Sequence, residues 1–318
     1  MQRGPEFHVN FSPTAAKVPT LAVVIALLTV YVVWGSTYLA IRFALQGYPP
    51  LFFPALRFLV AGGALYAALR LRGVPAPSLR QWGYAALIGV LLLNVGNGGV
   101  VLAERDVGSA LAATAVATVP LWAALFAGFW GHWPARAQWL GLAIGFAGVV
   151  VLNLGGDFAA QPQAALALMI SAATWAFGSI WSKRLDLPQG LMSSACQMLA
   201  AGAVFLAASR ATGEPWTLYP NAHAFGALLY LIAFGSLLGF TAYIFLVQNV
   251  SPALATSYAY VNPVVALFFG VALGGERFTL ADDLAIALVL LGVALIVAYH
   301  PAAPRPAAEK TPSCDQAC

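Results

Sequence analysis

Charge is what this chain has least of. Only 8% of its 318 residues are Asp, Glu, Lys or Arg, against 61% hydrophobic; a soluble domain carries about 25% charged residues. So little charge cannot cover a surface in water, which excludes a soluble globular protein and leaves an all-α chain that crosses a membrane many times. No carboxylate lies in the middle of any apolar run, so the usual intramembrane seat for a proton or sodium ion is missing. The histidines, His8, His132, His223 and His300, fall in tails, loops or run ends. Paired carboxylates and Ser/His or Ser/Lys pairs are absent from the middle of the runs, Asp282 and Asp283 and the Ser182–Lys183 pair standing at run ends, which argues against an intramembrane enzyme. No Gly-x4-Gly-Lys-Ser/Thr loop occurs, so ATP is not the expected energy source. Three cysteines make no disulfide framework. Cys196 sits in an apolar run as a small hydrophobe, and Cys314 and Cys318 lie in a polar tail. Nothing calls for a metal or another cofactor. The net charge of +4 bears on topology rather than on nucleic acid, because cytoplasmic loops collect Lys and Arg.

What is present is a series of apolar runs, each near the roughly 20 residues a spanning helix needs. Ten are expected, near 20–42, 51–70, 82–102, 109–130, 137–154, 164–183, 190–209, 225–247, 253–273 and 280–299. They are too long and continuous for barrel strands. An even number puts both termini on one side. Arg3, Lys17, Arg70, Arg72, Arg80, Arg136, Lys183, Arg184, Arg305 and Lys310 then share that side, which predicts that it is cytoplasmic. Residues 1–19 form an N-terminal cytoplasmic segment and 301–318, rich in Pro, Ala and charge, a disordered tail.

The chain repeats itself. "WGSTYLAIR" begins at Trp34, and "WAFGSIWSKR" begins at Trp175. "VGSALAATAVATVP" begins at Val107 and "VSPALATSYAYVNP" at Val250, and aligning the two without a gap places Pro120 on Pro263. The halves are residues 20–154 and 164–300, joined by the Gly/Gln/Pro-rich stretch 155–163. Five spans per half is an odd number, so the second half enters the membrane inverted. That arrangement places a substrate site at the interface between the repeats, near the bilayer midplane.

"VSPALATSYAYVNPVVALFFGVALGGERFT" resembles the ninth-helix signature of the EamA-type branch of the drug/metabolite transporter superfamily, while "WGSTYLAIRFAL" and "PALRFLVAGGAL" resemble its first and second helices. The resemblance covers about residues 20–300, and within the branch it is greatest to bacterial amino-acid exporters of the YddG type. It implies a multi-pass protein of the bacterial inner membrane. The implied activity is secondary export of neutral or aromatic amino acids by alternating access, with the fifth and tenth spans packed outside the pathway. Efflux of drugs or organic cations is the alternative. One departure is that "WGHWP" at 130–134 stands where the second half has "GGERF".

Several residues are candidates for the pathway. Asn94 and Asn97, three apart, share a helical face and either bond another helix or line a wet cavity. Trp34 and Tyr38 share a face of the first span, and Trp175 and Ser179 one of the sixth. Thr256 and Tyr260 form one polar face of the ninth span, Tyr258 and Asn262 another. Thr114 and Thr118 are four apart in the fourth, where threonine also readily bonds its own helix. Pro120 and Pro263 each delete a backbone hydrogen bond inside a span, as a kink or a hinge. Arg57 lies several residues into the second span, where it snorkels, pairs with a carbonyl or binds a carboxylate. Glu104 and Glu276, at span ends, suit surface or gate roles. The expected partners are a small-molecule substrate and membrane lipid, with no nucleic acid and no obligate protein partner.

Overall fold

The computed structural model describes residues 19–107, 109–131, 133–152 and 162–274, together with 284, 287, 288, 290–292 and 294–296. The helices are α1 (Thr20–Leu45), α2 (Phe52–Leu71), α3 (Leu79–Ala103), α4 (Ser109–Val116), α5 (Val119–Phe129), α6 (Arg136–Leu152), α7 (Pro162–Ser182), α8 (Leu191–Ala211), α9 (Ala222–Asn249), α10 (Pro252–Thr256) and α11 (Tyr258–Gly274). Six of these, α1, α2, α3, α7, α8 and α9, are long and apolar enough to cross a membrane. The tail 301–318, residues 155–161 of the joint and all but one residue of the segment 1–19 lie outside the described residues, while Pro162 and Gln163 of the joint open α7.

Local chemistry sets the helix ends. Ser78 caps α3 reciprocally with Gln81: its hydroxyl accepts from the Gln81 N–H at 3.2 Å, and its own N–H donates to the Gln81 side-chain carbonyl at 3.1 Å. This reciprocal pair satisfies backbone N–H groups that the start of a helix leaves without partners. Gly73 follows α2 at φ 80° and Gly213 follows α8 at φ 72°. Each takes the left-handed conformation that closes a helix C-terminus, and a proline stands two residues on. The two stops end the second helix of each half, so the repeat extends to its punctuation.

The packing survives exchange of the halves. α1 lies against α9 as α7 lies against α3, α1 against α11 as α7 against α5, and α2 against α9 as α8 against α3. α2 and α8 pair with each other, and the contact is reciprocal. A Cβ on Gly62 would lie 2.8 Å from the backbone N of Leu199, and one on Gly202 would lie 2.8 Å from the backbone N of Leu59. With no water to squeeze out between them, membrane helices gain their attraction from such close backbone approach at small residues.

Two spans depart from the expected continuous helix. The fourth is broken into α4 and α5, and Pro120 occupies the first turn of α5 instead of a helix interior. There its missing N–H would have been unsatisfied anyway. The ninth is broken at Ser257, between α10 and α11 and ahead of Pro263. Pro263 does lie inside α11. The third and eighth spans each contain a stretch of i→i+5 turns, Val90–Asn97 and Leu231–Phe240. The two stretches occupy equivalent places in the two halves. Wide turns of this kind recur at functional sites.

Candidate functional site

The doubled tryptophans meet at the centre. Trp34 and Trp175 stand edge to face with centroids 5.4 Å apart. Tyr243 joins them at 5.0 and 5.3 Å, and Tyr258 lies 4.9 Å from Trp34. Four spans thus each contribute one ring. The Trp34 N–H donates to the Gly235 carbonyl at 3.1 Å and the Trp175 N–H to the Tyr243 hydroxyl at 2.9 Å, so both indoles are held by α9 with their polar edges satisfied.

Each tryptophan lies on a glycine of the wide-turned stretch in the opposite half. A Cβ on Gly96 would lie 2.8 Å from the Trp175 ring, and one on Gly239 would lie 2.5 Å from the Trp34 indole nitrogen. Gly96 and Gly239 are related by the same offset as Pro120 and Pro263. Carrying Gly96 across the repeat would have found Gly239 from the sequence. Tyr243 carried no such signal.

Beside these rings lies a cavity with about 620 Å³ of empty space. From α1 it is lined by Trp34, Thr37, Tyr38 and Ile41, from α2 by Arg57 and Phe58, and from α3 by Gly96, Asn97 and Val100. Ser171 and Trp175 come from α7, Gly235 and Phe240 from α9, and Tyr258 and Asn262 from α11. Ile41, Arg57 and Val100 place it toward the end of the bundle where α1 and α3 finish and α2 begins. Toward the other end, the Tyr31 and Ser257 hydroxyls hydrogen-bond at 2.7 Å, joining α1 to the break in the ninth span.

The candidates divide. Trp34, Tyr38, Asn97, Trp175, Tyr258, Asn262 and Arg57 converge on the cavity. Asn94 does not: its amide donates to the Ala201 carbonyl of α8 at 3.0 Å. The expected common face of Asn94 and Asn97 fails because they lie in i→i+5 turns, which change the angle between residues three apart. Ser179 stands behind the rings, donating to the Trp175 carbonyl and bonded to the Tyr243 hydroxyl, both at 2.6 Å. Thr118 and Thr256 bond their own helices, to the carbonyls of Ala115 and Pro252. Tyr260 turns away and donates to the Leu142 carbonyl of α6 at 3.1 Å; the break at Ser257 separates it from Thr256. The Thr114 side chain and Glu276 lie outside the described residues.

Arg57 does not snorkel. It is 3% exposed, its Nε donates to the Ser236 hydroxyl at 2.7 Å, and its Nη1 has no partner among the described residues. Its guanidinium carbon lies 4.9 Å from the centroid of the Phe58 ring. Two acceptors on the same cavity are also free: Asn97 Oδ1 and Asn262 Oδ1 are buried without a hydrogen-bond partner among the described residues. Such orphans are rare in native structures, and each calls for an explanation. The cavity therefore offers an unpaired cation and two unpaired carbonyl acceptors beside a wall of aromatic rings. None of the described residues lining it is a carboxylate.

The sequence profile of the EamA-like transporter family matches residues 21–154 and again 162–298. The chain belongs to the EamA-like transporter family. It is 47% identical over 272 residues to the inner membrane transporter YedA of Escherichia coli strain K12, covering 85% of this chain and 89% of that one. It is 30% identical over 251 residues to a probable terminal-alkyne amino-acid exporter of Streptantibioticus cattleyicolor, covering 76% and 82%. A crystal structure superposes with a TM-score of 0.72 at 24% identity, covering 88% of this chain and 97% of the other; that likeness concerns the fold. The two matches to one profile make the internal repeat a property of the family. The protein is a multi-pass transporter of small metabolites in the bacterial inner membrane, from a family of transporters and not of enzymes.

Proposed function

We propose that the protein exports amino acids, preferentially neutral or aromatic ones, by alternating access through the central cavity. One observation carries the proposal: Arg57 Nη1, Asn97 Oδ1 and Asn262 Oδ1 are all buried without partners among the described residues on one cavity. A free α-amino acid supplies the complement. Its carboxylate accepts from a guanidinium, with a charge-assisted bond about twice as strong as a neutral one. Its ammonium donates to amide carbonyls, and an apolar or aromatic side chain packs on Trp34, Trp175 and Tyr258. The relative from Streptantibioticus cattleyicolor, named as a probable amino-acid exporter, supports the same class. Efflux of organic cations fits less well, because Arg57 repels a cation and none of the described lining residues is an acid.

Within this proposal the chain forms ten helices as two inverted repeats, 20–154 and 164–300, with both termini cytoplasmic. The reciprocal contacts of α2 with α8, and of the two tryptophans with the two glycines, support that symmetry. The cavity then lies toward the periplasmic face, with the Tyr31–Ser257 bond on the cytoplasmic side of the rings. The pathway residues are Trp34, Tyr38, Arg57, Asn97, Trp175, Tyr258 and Asn262, with Pro263 as a kink. Substrate and lipid are its only expected partners. Counterflow of radiolabelled amino acids into liposomes holding the purified protein tests the assignment. Saturable exchange of neutral or aromatic amino acids is expected, and movement of lipophilic cations with no amino-acid exchange would refute it.

A further inference from the structure

Glu104 stands immediately after α3, one turn beyond Val100 of the cavity wall. Of the two roles expected, surface or gate, the surface one fails: it is 5% exposed, and neither carboxylate oxygen has a hydrogen-bond partner among the described residues. Two groups of α1 act on it. The charge of Arg42, which is itself exposed, reaches it without forming an ion pair. Tyr38, a cavity residue, feels the Glu104 charge, and the Asn262 side chain of the same cavity stands beside its hydroxyl. The end of α3 packs through Val101 against the ends of α1, α2 and α9. There Tyr48 is occupied with the Leu218 carbonyl, Glu214 with the Leu51 N–H, Tyr230 with the Ser36 hydroxyl and the Arg57 Nε with the Ser236 hydroxyl, and His223 is exposed. Arg105 and Asp106, the next residues of the chain, are exposed, and α4 and α7 carry no titratable side chain.

A carboxylate without water or donors is disfavoured as an ion. Burial raises the Glu104 carboxyl well above the usual range, opposed by Arg42. Burial without a donor thus favours the neutral carboxyl of Glu104 in this conformation. Once ionised, it becomes a strong acceptor, and the two groups that feel its charge, Tyr38 and Arg42, both lie on α1.

We propose that Glu104 is a proton-operated latch for the periplasmic end of the pathway, acting through Tyr38 and Arg42. Protonated, it leaves Tyr38 in place on the cavity wall and the cavity accessible. Ionised, it draws the end of α1 onto the end of α3 and closes that side. The sign follows from the raised carboxyl: acid favours the accessible form, and accessibility is lost as pH rises through its titration. The proposal rests on the exporter reading for the sidedness, but its test uses no substrate, so the two can fail separately.

The test is thiol accessibility in proteoliposomes. Thr37 lines the cavity, and Phe43 is 40% exposed on the same helix. In a chain whose Cys196, Cys314 and Cys318 are replaced, Thr37→Cys is labelled by a membrane-impermeant thiol reagent. Its rate is divided by that of Phe43→Cys to cancel thiolate chemistry. The ratio should fall with rising pH, approaching tenfold per pH unit, the limit for one linked proton. Glu104→Gln should hold it high at every pH, and Tyr38→Phe should flatten the dependence with Glu104 in place. A flat ratio in the parent chain, or an unchanged pH dependence in Glu104→Gln, would overturn the latch. Should Glu104→Gln not fold, an unchanged dependence in Tyr38→Phe would do so. Amino-acid counterflow in the same vesicles separately reports the transport assignment.

Discussion

Replacing Arg57 with methionine should make the protein more stable and a worse transporter at the same time. The side chain keeps similar bulk but loses its charge. A charged residue inside a membrane span costs about 2.5–3.5 kcal/mol on insertion scales. Arg57 recovers part of this through its 2.7 Å bond to Ser236, a bond to a charged group being worth about 1.5–3 kcal/mol. Nη1 recovers nothing from the described residues. Setting the insertion cost against that one bond leaves Arg57→Met between about 0.5 kcal/mol less and about 2 kcal/mol more stable, most of the range on the stabilised side. The substrate carboxylate meanwhile loses its only described cationic partner on the cavity. At about 2–3 kcal/mol for one charge-assisted contact, the half-saturating concentration should rise roughly 30- to 150-fold. Thermal melting of the detergent-solubilised protein gives the first quantity and concentration-dependent counterflow the second. A variant that melts well below the parent yet keeps its affinity would show that Arg57 is structural, and the substrate argument would collapse.

Gly96→Ala and Gly239→Ala should each destabilise the protein by about 1–3 kcal/mol, the range for overpacking, because each new methyl meets an indole held from the opposite half. Trp34→Phe should relieve Gly239→Ala, and a melting series of single and double variants measures the coupling. Tyr31→Phe and Ser257→Ala remove the same bond, worth about 1 kcal/mol, so the double variant should be no worse than either single one. Each should raise labelling of the cavity from the Tyr31 side roughly fivefold; no change would mean that this bond does not hold that side shut.

Six of the spans and the repeat were legible because hydropathy and a two-part offset survive in one sequence. The structure adds what the offset alone did not state: Trp34 and Trp175, the doubled tryptophans, meet each other. Facing was less legible. The Asn94/Asn97 and Thr256/Tyr260 pairs were read with ordinary helical spacing, and both lie where that spacing fails, in wide turns or across a break. Such irregularities leave little mark in composition, since they arise from how the third and eighth spans pack on the rings. For Glu104 the choice between surface and gate was open for another reason. A carboxylate at the end of an apolar run looks solvated, and only the neighbouring helices decide whether water reaches it.

The central claim is that the cavity recognises both ends of a zwitterion, and a set of three related ligands tests it most directly. Phenylalanine, phenethylamine and 3-phenylpropionate share a ring but carry both charges, the ammonium alone or the carboxylate alone. Their competition against a counterflowing radiolabelled amino acid should rank phenylalanine first, with each single-charge analogue weaker by at least about tenfold, since each lost charge-assisted bond is worth about 1.5–3 kcal/mol. In Arg57→Met, phenylalanine and phenethylamine should converge. Phenethylamine competing as well as phenylalanine in the parent protein would contradict the account and restore organic-cation efflux as its function.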